Sequence, residues 1–171
     1  MAIALVLVGA PGSGKTAVGL QLATLSGLAF SDVDDAIERA AGMSTAEALI
    51  TAGEAQFRHW EAQSLRTVLS QDHGIVAVGA GALKDPAARA ALAGLPVAWL
   101  RVGASTVVKR KGMDGPRSAA LLPPRAAVAD QLQQYEPWFS EVATWDVEAE
   151  APLQDVVARL ADVLRSDLGQ E

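Results

Sequence analysis

Residues Gly9-Ala10-Pro11-Gly12-Ser13-Gly14-Lys15-Thr16 match the pattern G-x-x-x-x-G-K-[ST] at every fixed position. That spacing serves phosphate chemistry. Glycines let successive backbone N–H groups turn inward around an oxyanion, and the N-terminus of a following helix adds partial positive charge. Lys15 is placed to reach the β- and γ-phosphates and the Thr16 hydroxyl to ligate Mg²⁺. The context agrees, because the apolar run Ala2–Val8 precedes the motif and the helical pattern Ala17–Ala23 follows it. A nucleoside triphosphate with magnesium is the expected ligand.

Two carboxylates extend the chemistry. Many phosphate-loop proteins place an aspartate at the end of a hydrophobic strand to help hold Mg²⁺, but Ile75–Val78 runs into Gly79-Ala80-Gly81. Asp32 and Asp34 instead follow the short apolar run Leu28–Phe30. In an open α/β sheet, ligands sit beyond the carboxyl ends of the strands, so both aspartates, the phosphate loop and the Gly79–Gly81 turn converge there. One carboxylate near the metal and another to accept a hydroxyl proton is what phosphoryl transfer to an alcohol requires. Taken alone, an aspartate here reads as the cap of the helix that begins nearby; beside the phosphate loop the site reading is favoured.

These residues need a scaffold, and the apolar pattern supplies one. Continuous runs at Ala2–Val8, Leu28–Phe30, Ile75–Val78 and Val97–Leu100, with a weaker one at Ala143–Val147, predict strands. Helical patterns fall between them, over Ala36–Ala41, Thr45–Ala52 and Glu54–Ser70, from Pro86 onward, and along an amphipathic tail from Leu153 to Leu164. Continuous rather than alternating strands separated by helices predict a parallel sheet covered on both faces. Lys109–Pro124 stands apart, with glycine and proline amid basic residues, and reads as a mobile excursion able to close over phosphates.

Composition narrows the remaining classes. The chain has 171 residues, half of them hydrophobic, which fits one globular domain spanning residues 1–171. Fourteen Lys and Arg against twenty Asp and Glu give a net charge of −6, which argues against a nucleic-acid or anionic-membrane partner. The absence of cysteine excludes disulfides and thiolate catalysis, and two histidines do not make a histidine metal site. The apolar N-terminus lacks a basic flank, and no segment approaches the roughly 20 apolar residues of a membrane span, so a cytoplasmic protein is expected. Nothing demands more than a monomer.

The chain resembles the shikimate kinases, phosphate-loop kinases that transfer phosphate from MgATP to the 3-hydroxyl of shikimate. The matching stretches are Gly9–Thr16, Asp32-Val33-Asp34 with Ile37-Glu38, Gly53-Glu54 with Phe57-Arg58 and Glu61, the turn after Val78, Val97–Leu100 and Glu141-Val142-Ala143. The resemblance implies a three-layer α/β/α fold with a five-stranded parallel sheet and a mobile lid at about 109–124. It implies that Gly12, Ser13, Gly14, Lys15, Thr16 and Ala17 hold ATP, with Arg110 on the nucleotide side and Arg117 in the lid against the transferring phosphate. Thr16 and Asp32 would serve the Mg²⁺, and Lys15, Asp34 and Arg117 the reaction. Asp34, Arg58, the backbone of Gly79, Ala80 and Gly81, and position 135 would face the acceptor.

Three places depart from the family pattern. The family's glycine triplet is Gly79-Ala80-Gly81, the lid reads Arg117-Ser118-Ala119-Ala120-Leu121-Leu122, and Tyr135 stands where the family has a carboxylate-binding arginine. A phenol supplies one hydrogen bond and neither a fixed charge nor a bidentate fork. The expected activity is shikimate 3-phosphorylation at reduced affinity relative to the family. The alternatives are a kinase for a different hydroxylated metabolite, or a nucleotide-binding protein with little kinase activity.

Overall fold

The computed structural model describes residues 3–71, 74–114 and 125–168. Five strands, β1 (Leu5–Val8), β2 (Phe30–Asp32), β3 (Ile75–Ala77), β4 (Val97–Arg101) and β5 (Trp145–Glu148), form one parallel sheet in the order β2-β3-β1-β4-β5. The chain travels first to one side of β1 and then to the other, so the reversal opens a crevice at the carboxyl end of β1. The connecting helices are α1 (Lys15–Ser26), α2 (Val33–Ala41), α3 (Thr45–Gln71), α4 (Pro86–Leu92), α5 (Ala104–Asp114), α6 (Arg125–Val142) and α7 (Leu153–Leu168), with a 3₁₀ turn over Ala80–Lys84.

The three layers follow from the two-residue period of the strands. Val6 and Val8 of β1, Val76 of β3 and Val97 and Trp99 of β4 face a core shared with α2, α3, α4 and α6. Leu5, Leu7, Ile75, Ala98 and Leu100 point the other way, into a core shared with α1 and α7. Every residue of β1 is buried, which is why the run carries no polar alternation.

Helix boundaries have local causes. Asp32 caps α2, accepting the Asp34 N–H at 3.0 Å, so that helix starts three residues before the apolar pattern predicts. Ser44 and Glu47 form a reciprocal capping box at the start of α3. The two helices predicted over Thr45–Ala52 and Glu54–Ser70 are nearly continuous, broken at Gly53, whose φ of 82° and ψ of 166° leave the helical region. Strand β2 lies two residues beyond Leu28–Phe30, because its register is set by β3: Phe30 pairs with Ile75 and Asp32 with Ala77. Among the described residues no helix is long and apolar enough to cross a membrane.

Gly74 marks the tightest point between β2 and β3. A Cβ there would lie 2.2 Å from the Ala29 carbonyl oxygen, which itself accepts the Ile75 N–H at 2.9 Å. Because the obstacle is backbone, Gly74→Ala is expected to lower stability by about 2–3 kcal/mol. For a chain of this size that is roughly 5–10 °C in thermal midpoint, measurable by calorimetry. An unchanged midpoint would show that the two strands separate without cost.

Candidate active site

The phosphate loop is shaped by its glycines. Gly12 (φ 85°) and Gly14 (φ 94°) occupy left-handed conformations, and a Cβ on Gly9 would sit 2.8 Å from the Leu100 carbonyl. The loop therefore folds tightly over β1 and β4 and delivers the free N–H groups of the first turn of α1 to the crevice. Ser13 is buried there with a hydroxyl that has no hydrogen-bond partner among the described residues. Lys15 curls back, its Nζ donating to the Gly9 carbonyl at 2.8 Å and the Ala10 carbonyl at 3.2 Å. Burial pushes its pKa down to about 8, against the opposing pull of Asp34 and Asp32.

Asp32 is both a cap and a site residue. Its Oδ1 accepts the Asp34 N–H, while its Oδ2 accepts the Thr16 hydroxyl at 2.9 Å. One carboxylate thus joins the first turn of α1 to the first turn of α2. Asp34 is an exposed residue whose carboxylate turns inward against Gly79: a Cβ there would meet its Oδ1 at 3.1 Å. Desolvation holds the Asp34 carboxyl above the usual carboxylate range, with Asp32, Glu61 and Glu38 adding to the rise and Lys15 opposing it.

Arg58 lies at the other end of the same turn. Its Nη1 donates to Glu61 Oε2 at 2.6 Å and approaches the Gly81 carbonyl at 3.5 Å, and its Nε is 3.8 Å from Glu54. Asp34 and Arg58 therefore bracket Gly79–Gly81. Ala80, between them, is buried in the core facing α2, α3, α4 and α6, so its methyl group packs inward and does not occupy the cleft. Tyr135 belongs to that core too. It packs against Trp138 and Phe139 with ring centroids 5.7 and 5.8 Å away, and its hydroxyl accepts from Gln131 Nε2 at 3.1 Å. Arg117 and most of the expected lid lie outside the described residues.

A second cavity, of about 300 Å³, runs from the phosphate loop along α7. Gly12, Gly14 and Ala17 line one side, and Ala149, Ala151, Leu153 and Val156 the other. Arg110 spans the two sides, donating from Nη1 to the Gly12 carbonyl and from Nη2 to the Ala149 carbonyl, each at 2.9 Å. The sequence reading found Arg110 and Ala17 but not this far wall. Leu153 and Val156 read simply as the apolar stripe of a terminal helix, and only the fold shows that Leu153 remains 40% exposed at its start.

The Lys15 shift has a sign that can be checked. Its amine falls from 10.5 in the unfolded chain to about 8 in the fold, so between those values the unfolded state binds more protons and stability rises with pH. Lys15→Met is expected to flatten that rise between about pH 8 and 10.5 in denaturant melts. Superimposable profiles for the two proteins would contradict it.

Comparison with known proteins gives one consistent family. A family model described as shikimate kinase matches residues 11–165. A shikimate kinase of Frankia casuarinae is 39% identical over 164 residues, covering 96% of this chain and 72% of that protein. One from Salinispora arenicola is 41% identical over 144 residues, 84% of this chain and 86% of its own. Among solved structures, shikimate kinase from Acinetobacter baumannii in complex with shikimate superposes with a TM-score of 0.85 at 27% identity, covering 98% of this chain and 94% of that one.

Proposed function

The chain belongs to the shikimate kinase family, and from that premise we propose that it transfers the γ-phosphoryl group of ATP to the 3-hydroxyl of shikimate. The observation that carries the reading is the turn Gly79–Gly81, with the raised carboxyl of Asp34 against one end and Arg58 against the other. A hydroxylated acid laid across that turn would have its hydroxyl edge at Asp34 and its carboxylate at Arg58.

The donor side fits a triphosphate. The positive-φ glycines, the unpartnered buried Ser13 hydroxyl and the free N–H groups of α1 form a cradle for phosphate oxygens. Lys15 would exchange its two carbonyl partners for phosphate, a contact that favours the charged form which burial disfavours. Thr16 and Asp32 would hold Mg²⁺, Asp32 through water, since such an ion is bound by one or two protein oxygens and otherwise by water and phosphate. Bound magnesium supplies charge neutralisation on the phosphates. The cavity along α7 takes the base between Arg110 and its apolar far wall.

Asp34 would orient the acceptor hydroxyl and take its proton, and a carboxyl with a raised pKa is better matched to that task at neutral pH than an ordinary one. The backbone N–H groups of the Gly79–Gly81 turn would face the acceptor. Arg117, in the lid, would lie against the transferring phosphate. A second reading, a less anionic hydroxylated acceptor, is favoured by two features: Arg58 is already paired with buried Glu61, and Tyr135 is committed to Gln131.

A coupled ADP-release assay with shikimate and a panel of polyols and hydroxy acids tests both readings. Asp34→Asn is expected to lower kcat by about 10²–10⁴ while ADP affinity holds within about twofold. Tyr135→Phe is expected to leave the shikimate KM unchanged, because the hydroxyl it removes points into the helix. Absence of shikimate turnover at millimolar concentration, with turnover of another alcohol, would select the second reading. ADP binding without any acceptor would leave a nucleotide-binding protein.

A further inference from the structure

The far wall of the base cavity is a loop, residues 149–152, that leaves β5 and enters α7 without regular structure of its own. Its first residue is held by the sheet, where the Ala149 N–H donates to the Arg101 carbonyl at 2.9 Å. Its last residue is held by α7, where the Pro152 carbonyl accepts the Asp155 N–H at 2.9 Å, and between these ends Glu150 ties the loop to α5. Oε1 of Glu150 accepts the Gly103 N–H at 2.7 Å and the Thr106 hydroxyl at 3.0 Å, both at the start of α5. Its own N–H donates to Glu148 Oε1 at 2.5 Å.

Thr106 and Arg110 are four residues apart on one face of α5, and Gly103 immediately precedes the helix on the same side, as the shared contact with Glu150 shows. That face is stitched to the same loop twice, by Glu150 at its start and by the Arg110 contact with the Ala149 carbonyl further along. Gly103 also admits the carboxylate closely, since a Cβ there would stand 2.9 Å from Glu150 Oε1. The Glu150 carboxyl sits below the usual glutamate range, through these two donors and, more weakly, through Arg110.

We infer that Glu150 is a positioning residue for the phosphoryl donor: by fixing loop 149–152 to α5 it sets the separation between the apolar wall and Arg110, and so the width of the slot for the nucleotide base. Glu150 does not itself line the cavity. It acts on the base through Ala149, Ala151 and Arg110, and among the described residues its own hydrogen bonds go to Gly103, Thr106 and Glu148, none of them in the phosphate loop. The inference rests on ATP being the donor.

The test compares wild type, Glu150→Ala, Glu150→Gln and Thr106→Val. ADP affinity is read by calorimetry, steady-state kinetics are run with ATP and shikimate, and inorganic tripolyphosphate serves as a competitor that has no base. Glu150→Ala is expected to raise the ADP Kd and the ATP KM about three- to tenfold, with kcat and tripolyphosphate inhibition within about twofold. Glu150→Gln, which keeps an acceptor for both donors, returns affinity to within about twofold of wild type, and Thr106→Val shifts it in the same direction by less. Unchanged ADP affinity in Glu150→Ala overturns the assignment, as does an equal loss of ADP and tripolyphosphate binding. Failure of the wild type to bind ADP overturns the donor reading itself. Should Glu150→Ala not fold, Thr106→Val decides the question by the same measurements.

Discussion

The site is organised around a single carboxylate. Asp32 gives one oxygen to the Thr16 hydroxyl and the other to the Asp34 N–H, so the phosphate loop and the helix carrying Asp34 cannot move independently. Asp32 is also the last residue of β2 and pairs with Ala77 of β3, whose next residues enter the Gly79–Gly81 turn. The contact between Asp34 and Gly79 is therefore a consequence of strand register. Shifting that register by one residue would turn Asp32 to the other face of the sheet and break both of its hydrogen bonds. Few capping interactions carry this much; an ordinary N-cap orders one helix end.

The same geometry explains how an acidic protein makes a place for anions. A net charge of −6 describes the surface at large, whereas the crevice is dominated by backbone N–H groups and by a lysine that burial has made easier to deprotonate. Asp34 and Lys15 oppose each other's shifts, yet both groups move in the direction desolvation dictates. Burial thus works against the charged form of both groups. Phosphate favours a charged Lys15, and a hydroxyl donated to Asp34 favours its ionised form.

Much of this was legible in the chain itself. The phosphate loop, the two aspartates beyond a strand and Arg58 on a helix after Gly53 are local patterns, and the topology that gathers them follows from continuous apolar strands separated by helices. Where the reading fell short, the cause was tertiary. The range of β2 depends on pairing with β3, which leaves no trace in its own three residues. The extra turn at the start of α2 comes from a cap whose other oxygen is busy elsewhere. The cavity along α7 was invisible because its far wall combines small residues from a loop with the first turn of that helix, and a helix stripe looks the same whether it faces core or an open cavity.

The departures at positions 80 and 135 share a physical account. Both side chains are buried in the core facing α2, α3, α4 and α6. A methyl group there adds packing and leaves the backbone of the turn as it was. At position 135 a guanidinium would carry five donors and a permanent charge, which an aromatic cluster including Trp99 and Phe139 could not solvate. A phenol needs one partner, and Gln131, one turn earlier on the same helix, supplies it. Among the described residues, the charge facing the Gly79–Gly81 turn is then set by α2 and α3, with Arg58 against Asp34 and Glu61. Glu61 is buried and holds one arm of that arginine at 2.6 Å, leaving Nη2 to meet an acceptor. On the proposed function, discrimination between an acid and a neutral alcohol would turn on this ion pair within one helix, since how Glu61 holds Arg58 would set the charge facing the acceptor.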